Sequence, residues 1–331
     1  MINTTKPIGQ SERIFPFVSL ILCLAFTNML WADEDENSAA DPEYAGFGAS
    51  VCLGCHGETS AKPAHEILLT PMARKADSRT PFAEGGHQCE TCHGPSKSHI
   101  LGGAGGERPS PAVVFNASTP SEEQNEVCLE CHSTGESKHW LGSTHDVEGV
   151  TCAGCHRVHE ANDPILAPES QAEVCFSCHK DKRAKFLRQS RHPVQTSSAA
   201  VSHGDLMSCT DCHEPMGGSG PANLERDTVN ETCYDCHAEK RGPFLWEHAP
   251  VREDCSNCHD PHGSNNPDLL LTRQPWLCQQ CHAANFHPSG VYSGTGIPEN
   301  GRADQRILGK QCLNCHQQIH GSNHPSGARL T

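Results

Sequence analysis

The chain has 331 residues, of which 35% are hydrophobic and only 5% aromatic, while 29 are glycine and 23 are proline. So few large apolar side chains would make a thin conventional core for a chain of this length. The formal net charge of −15 argues against nucleic acid and against anionic membrane surfaces as partners.

The N-terminal segment has the pattern of a secretory signal peptide. Lys6 and Arg13 precede the mostly apolar run 14–30, which ends before Ala32 and an acidic stretch. A retained membrane anchor is the alternative, but polar residues and a proline interrupt the run, which falls short of the roughly 20 apolar residues that a spanning helix prefers. We therefore expect residues 1–32 to be removed on export and residues 33–51 to form an acidic N-terminal segment.

From position 52 onward the chain repeats the pattern C-x-x-C-H. Its two thiols can each add to a vinyl group of a haem, and its histidine then ligates the iron from one side. A single copy would also suit half a zinc site or a thiol redox pair. The pattern occurs ten times, however, and uses twenty of the 21 cysteines, with only Cys23 left in the leader. We therefore predict ten covalently bound haem c groups.

The ten motifs are numbered 1 to 10 in chain order. Their predicted attachment pairs are Cys52 and Cys55, Cys89 and Cys92, Cys128 and Cys131, Cys152 and Cys155, Cys175 and Cys178, Cys209 and Cys212, Cys233 and Cys236, Cys255 and Cys258, Cys278 and Cys281, and Cys312 and Cys315. The predicted proximal iron ligands are His56, His93, His132, His156, His179, His213, His237, His259, His282 and His316.

Ten haems would supply the apolar surface that the chain itself lacks. We expect a multihaem cytochrome c over residues 52–331, made mainly of short α-helices and irregular loops around ten stacked haems. The shape should be elongated, with little or no β-structure. The motifs themselves should lie on short helical turns.

The chain contains an internal repeat. A shift of 103 residues lays motifs 4, 5 and 6 on motifs 8, 9 and 10, so that residues 128–220 roughly match 231–331. Other histidines follow this shift: His145 and His248 each precede the next motif by seven residues, and His159 and His262 each follow a proximal histidine by three. Such positional agreement is what a second iron ligand would show.

Two methionines stand at distances from a motif at which other motifs have a histidine. Met216 follows its proximal histidine by three residues, and Met72 precedes motif 2 by seventeen, the same offset at which His192 precedes motif 6. Each either ligates iron or packs beside a porphyrin as a flexible apolar side chain. If the methionines do not bind, the available imidazoles are His65, His87 and His203.

Three stretches carry a resemblance to a known family: "NETCYDCHAEKRGPFLWEHAPVREDCSNCHDPHGS" (230–264), "LCQQCHA" (277–283) and "CLNCHQQIHGSNHPSG" (312–327). They resemble the MtrA/DmsE family of periplasmic decahaem cytochromes, which includes the PioA and MtoA proteins of iron oxidisers. The resemblance covers the chain from about residue 49 to the end. Its implied distal ligands are His99, His145, His159, His192, His248, His262, His287, His320 and His324, of which one of the last two is spare.

The resemblance also implies a function and a location. The chain would be a periplasmic electron conduit, associated with the outer membrane and threaded into a β-barrel porin there. Its partners would be periplasmic or inner-membrane c-type cytochromes on one side, and an extracellular multihaem cytochrome or Fe(II) or metal compound on the other. No catalytic residue is implied.

Relatives usually carry histidine at the positions of Met72 and Met216. Thioether ligation raises the potential of a haem, so this departure weakly favours electron flow inward from Fe(II) over outward reduction of metals or DMSO. Two alternatives stay open: a multihaem reductase or oxidase of a small nitrogen or sulfur compound, which would need an iron with an open position, and a freely diffusing periplasmic electron shuttle.

Overall fold

The computed structural model of the chain describes residues 44–102, 108–194, 206–282, 311–325 and 327. The leader, most of the acidic segment, His203 and His287 lie outside the described residues. From Asp41 to Thr331 the chain forms one unit by its internal contacts.

Regular structure in the described residues consists of short helices, as the sequence predicts. The longest α-helix has 11 residues and the shortest has four. The α-helices are α1 (Ala49–Cys55), α2 (Cys89–His93), α3 (Lys97–Leu101), α4 (Ser121–Leu129), α5 (Thr144–Val147), α6 (Cys152–Cys155), α7 (Pro168–Cys178), α8 (Lys180–Phe186), α9 (Val229–Tyr234), α10 (Ala249–Glu253) and α11 (Trp276–Gln279).

Single turns of 3₁₀-helix lie between and after these α-helices. They span His65–Leu69, Pro71–Ala73, Gly135–His139, Cys209–Asp211, Pro221–Asn223, Ala238–Lys240, Cys255–Asn257, Pro267–Leu269 and Cys312–Asn314.

Local sequence explains why the helices begin and end so often. Helix α7 begins with Pro168 in its first turn, where a missing N–H costs nothing. Helix α9 is capped by Thr228, whose hydroxyl oxygen accepts a 3.1 Å hydrogen bond from the backbone N–H of Glu231. Both helices end close to the cysteines of a motif, so each presents a motif near its C-terminal end.

The described residues contain isolated β-bridges and no extended strand, which agrees with the expected scarcity of β-structure. The bridges join Ser190 with Ser264, Val194 with Met207, His213 with Leu224, Trp246 with Ser322, and His259 with Leu270.

Two of these bridges belong to a module that occurs twice, over residues 209–225 and 255–271. In each copy the second cysteine of the motif accepts a backbone hydrogen bond from the far end of the loop. The N–H of Glu225 donates to Cys212 over 3.0 Å, and the N–H of Leu271 donates to Cys258 over 2.9 Å. Motifs 6 and 8 therefore share a local fold at an offset of 46 residues, in addition to the offset of 103 that the sequence repeat reveals.

The protein chain provides little apolar core of its own. Among the described residues, the buried apolar side chains are Ala49, Phe82, Ala83, Trp140, Ala172 and Phe176, while leucines such as Leu187 and Leu245 are largely exposed, at 80% and 74%. Haem groups attached to the motifs would cover apolar side chains that the protein chain leaves exposed. In the same part of the chain, no helix has the length and apolar character needed to cross a membrane.

Candidate haem sites

Each motif is folded into one helical turn. The backbone N–H of the motif histidine donates to the carbonyl oxygen of the first cysteine, four residues earlier, over 2.8 to 3.1 Å in the nine motifs other than motif 2. Motif 2 is itself the helix α2. This turn brings the two thiols and the imidazole to one side of the backbone, the arrangement that attachment of one haem requires.

The first cysteines of the motifs contact each other in pairs. Motif 1 contacts motif 2, motif 3 contacts motif 4, and so on to motifs 9 and 10. The pairs are Cys52 with Cys89, Cys128 with Cys152, Cys175 with Cys209, Cys233 with Cys255, and Cys278 with Cys312.

In four of these thiol pairs the interaction lowers the pKa of one partner and raises that of the other. Contact with Cys89 lowers the pKa of Cys52 to about 7, and the same contact raises the pKa of Cys89. Contact with Cys233 likewise lowers the pKa of Cys255 to about 7. Within each pair of motifs, the two first cysteines therefore lie close together.

The second cysteines connect one pair of motifs to the next. Burial raises the pKa of Cys92, and the nearby thiol of Cys131 in motif 3 raises it further. Burial likewise comes first for Cys155 of motif 4, Cys212 of motif 6 and Cys258 of motif 8. A thiol of the following motif, in Cys175, Cys236 and Cys281 respectively, raises each pKa further. The thiols of successive motifs are thus near enough to affect each other's pKa, through first cysteines within a pair and second cysteines between pairs, and the ten motifs form one series in chain order.

Two buried asparagines fasten motif pairs together. Asn125 is 4% exposed; its Nδ2 donates to the carbonyl of Val150 over 3.0 Å, and its Oδ1 accepts from the N–H of Cys152 over 2.8 Å. Asn230 makes the equivalent bond to Cys255 over 2.7 Å. Each asparagine lies three residues before one motif and holds the start of the next.

Two glutamines perform the corresponding task for motif pairs 5–6 and 9–10. The Oε1 of Gln171 accepts from the N–H of Thr210 over 3.2 Å, and that of Gln274 accepts from Leu313 over 3.4 Å. Sequence reasoning missed all four carboxamides. Their constant offsets, three or four residues before a motif in both halves of the repeat, are the signal that could have found them.

Seven proximal histidines face a second imidazole. The ring centroids are 6.0 to 6.3 Å apart in every case, and each partner comes from another part of the chain. The pairs are His56 with His99, His93 with His159, His179 with His145, His213 with His262, His237 with His192, His259 with His320, and His282 with His248.

This spacing fits one metal ion between two imidazoles. Two nitrogen–metal bonds of about 2 Å each, together with the two ring radii, put the centroids roughly 6 Å apart. Directly stacked rings would be closer, as the 4.1 Å between Tyr44 and His87 illustrates. The described part of the chain contains no group of three or more cysteine, histidine or carboxylate side chains suited to enclosing a metal ion by themselves.

Hydrogen bonds at Nδ1 fix the tautomer of seven of these fourteen rings. A carbonyl oxygen only accepts, so Nδ1 carries the proton and Nε2 keeps the free lone pair that a metal needs. The pairs of Nδ1 and carbonyl are His56 with Lys62 (2.9 Å), His93 with Val113 (3.1 Å), His99 with Pro109 (2.6 Å), His145 with Pro215 (2.8 Å), His192 with Pro261 (2.8 Å), His213 with Ala222 (3.0 Å) and His259 with Asp268 (2.6 Å).

His156 differs because its Nδ1 is 2.7 Å from a carboxylate, that of Asp163. The Asp163 side chain is 15% exposed and also accepts from the N–H of Arg157 over 3.1 Å. A carboxylate partner makes an imidazole more electron-donating than a carbonyl does.

The other candidate iron ligands have fewer described contacts. Met72 lies half-buried on the 3₁₀ turn Pro71–Ala73, and Met216 lies half-buried in the loop after motif 6. His65 has a buried Nδ1 without a hydrogen-bond partner in the described residues. His324 is exposed, and its carbonyl accepts from the indole N–H of Trp246 over 3.0 Å.

Two family models match parts of the chain. The doubled CXXCH motif matches residues 199–242 and 248–287, and the cytochrome c-type protein NrfB-like model matches residues 107–178. These matches agree with the thiol and imidazole geometry, and the motifs bind haem c.

Whole proteins give a longer match. The chain is 44% identical over 294 residues to the multiheme cytochrome MtrA of Shewanella baltica, which covers 88% of this chain and 83% of that protein. It is 24% identical over 270 residues to the C-type polyheme cytochrome OmcB of two Geobacter sulfurreducens strains, covering 78% of this chain and 28% of OmcB. Taken with the series of paired motifs, the first of these matches shows that the chain is an electron-transport protein of the MtrA family of multihaem c-type cytochromes.

Proposed function

We propose that the chain is a decahaem electron conduit between the periplasm and the outside of the cell. One observation carries the proposal: the thiols of the motifs follow one another without a break from motif 1 to motif 10. Haem c supplies one-electron redox chemistry, and groups attached at these positions would lie close enough for rapid electron exchange.

The histidine pairs support electron transfer over catalysis. An iron bound by imidazoles on both sides has no open position for a substrate, and seven proximal histidines face a partner at 6.0 to 6.3 Å. In six of the seven pairs a hydrogen bond at Nδ1 holds at least one ring in place, so iron would keep its ligands in both oxidation states and reorganise little. Distal ligation by His99, His145, His159, His192, His248, His262 and His320 is part of this proposal.

Location and partners follow from the leader and from the family. A signal peptide over residues 1–32 would export the chain, and residues 52–331 would form one decahaem domain in the periplasm at the outer membrane. An outer-membrane porin would hold it there. Periplasmic or inner-membrane c-type cytochromes would exchange electrons at one end, and an extracellular cytochrome or a metal compound at the other.

Electron flow inward from Fe(II) is the favoured direction. Its support is the presence of methionine at positions 72 and 216, because thioether ligation raises haem potential and Fe(II) is a poor reductant.

The test has two steps on the mature holoprotein. Pyridine haemochrome analysis with intact mass spectrometry should give ten haems per chain. Proteoliposomes that contain the chain and the porin with which it co-purifies, loaded with reduced methyl viologen, should then oxidise the dye when Fe(III) citrate is added outside. Liposomes with the porin alone or the chain alone are the controls. Equal dye oxidation in all three preparations would refute the conduit, and external Fe(II) with an internal oxidant tests the direction.

A further inference from the structure

Three loops that follow even-numbered motifs share one backbone structure. Met216, His262 and His320 are each followed by a glycine with positive φ: 126° at Gly217, 143° at Gly263 and 129° at Gly321. In each loop the glycine N–H donates to the carbonyl three residues earlier, over 3.0 to 3.2 Å.

Close packing explains the glycine. A Cβ atom at Gly217 would fall on the carbonyl oxygen of His139, and one at Gly263 would fall on that of Lys185. The loop is therefore pressed against a neighbouring backbone, and the residue before the glycine is held in a fixed place.

The loops around Met216 and His262 agree in their side-chain contacts as well. The N–H of Met216 donates to Glu214 Oε1 over 3.0 Å, and the N–H of His262 donates to Asp260 Oδ1 over 3.1 Å. The preceding prolines accept in the same way: Pro215 from His145 and Pro261 from His192, both over 2.8 Å. Met216 thus occupies the position of His262.

A pairing rule connects the even motifs. His159 of motif 4 faces His93 of motif 2, His262 of motif 8 faces His213 of motif 6, and His320 of motif 10 faces His259 of motif 8. In each case the histidine that follows one even-numbered motif faces the proximal histidine of the even-numbered motif before it. By the same rule Met216, which follows motif 6, should face His156, the proximal histidine of motif 4.

His156 fits this assignment. Within the described residues no histidine ring faces it, in contrast to the proximal histidines of the other three motifs in the rule. We infer that the Met216 thioether binds the iron of the motif 4 haem opposite His156, which makes this haem a high-potential step in an otherwise largely bis-histidine series. This inference rests on the proposed decahaem conduit.

The carboxylate of Asp163 adds to the distinct character of the site. It accepts from His156 over 2.7 Å, and the residue at the equivalent place beside His259 is Asn266, which hydrogen-bonds to Leu270 and Ser264. Because a more basic imidazole favours the oxidised iron, Asp163 would limit the rise in potential that the thioether causes.

The test compares Met216→His and Met207→His in the full-length holoprotein. Met207 precedes the same motif in the sequence and is not at a predicted ligand position, so it is the matched control. Near-infrared magnetic circular dichroism of the oxidised protein should contain a sulfur-to-iron charge-transfer band. In Met216→His the intensity of this band should fall by the contribution of one haem, or to zero if no other thioether binds iron. One of the ten reduction potentials should shift downward. Met207→His should leave both unchanged.

The haem count separates the possible failures. Ten haems with no charge-transfer band in the wild type, or with a band unchanged in Met216→His, would overturn the ligation while leaving the conduit intact. A wild-type count below ten would instead contradict the decahaem conduit itself. Met216→Leu guards against a folding artefact: with ten haems retained, loss of the band together with a new high-spin ferric signal supports ligation, and an unchanged spectrum refutes it.

Discussion

The Nδ1 atom of His145 donates a 2.8 Å hydrogen bond to the carbonyl oxygen of Pro215, the residue before Met216. His145 faces the proximal histidine of motif 5, whereas Met216 is assigned to motif 4. A single hydrogen bond therefore joins ligand positions that belong to consecutive motifs. His192 and Pro261 repeat the arrangement for motifs 7 and 6, so neighbouring ligand loops support each other along the series.

Replacing the carboxylate behind His156 should raise the potential of one haem. Asp163→Asn keeps the shape of the side chain but exchanges a charged acceptor for a neutral one. A hydrogen bond to a charged group is stronger by about 1 kcal/mol, which in a one-electron couple corresponds to roughly 40 mV. Potentiometric titration should show one of the ten steps moved upward by a few tens of millivolts.

Asp181→Asn is the control for this experiment. Asp181 is 65% exposed and pairs only with Lys182 among the described contacts, so its removal should leave the titration unchanged. A downward shift in Asp163→Asn, or equal shifts in both variants, would contradict the role assigned to Asp163.

The glycine after Met216 should tolerate no side chain. Gly217→Ala places a Cβ on the carbonyl oxygen of His139 and imposes an unfavourable φ, at a combined cost of about 2–5 kcal/mol. The loop would have to move, so the variant should lose stability and thioether ligation together. Denaturant titration and the near-infrared charge-transfer band measure the two effects.

Gly142→Ala isolates the conformational part of that cost. Gly142 also has a positive φ, 81°, but a Cβ there meets no atom within 4 Å. We expect a loss of only about 1–2 kcal/mol and an unchanged charge-transfer band. Equal losses in the two variants would mean that the contact with His139 does not position Met216.

The buried asparagines should be important for stability. In Asn230→Ala the N–H of Cys255 and the carbonyls of Val251 and Arg252 lose their partner, at a cost of about 1–3 kcal/mol in the free energy of unfolding. Chemical denaturation followed by circular dichroism measures this loss. Asn257→Ala removes an exposed amide with a single 3.2 Å bond and should change stability by no more than about 0.5 kcal/mol.

The sequence predicted the local features of this molecule better than its long-range contacts. The ten motifs, their helical turns and the scarcity of β-structure follow from the C-x-x-C-H pattern and the low apolar content. The offset of three residues after a proximal histidine also pointed to the equivalence of Met216 and His262. Each of these properties depends on residues close together in the chain or on a regular spacing.

Contacts between distant residues needed the structure. His320 is four residues after its proximal histidine rather than three, so spacing alone does not align it with His262, and only the glycine φ values reveal the match. The alternation of first and second cysteines along the series depends on how successive turns pack together. The hydrogen bonds of Asn125 could not be predicted from the sequence. An asparagine three residues before a motif cannot be told from a polar surface residue until its burial is known.

The central claim is that electrons pass through all ten motifs in series, and interruption of the middle of the series tests it most directly. Cys209→Ala combined with Cys212→Ala should remove the haem of motif 6, leaving nine haems with otherwise similar spectra. In proteoliposomes with the porin, electron transfer across the membrane should then fall by orders of magnitude, because a linear series has no second path from motif 5 to motif 7. A nine-haem variant that transfers electrons at the wild-type rate would contradict a linear conduit.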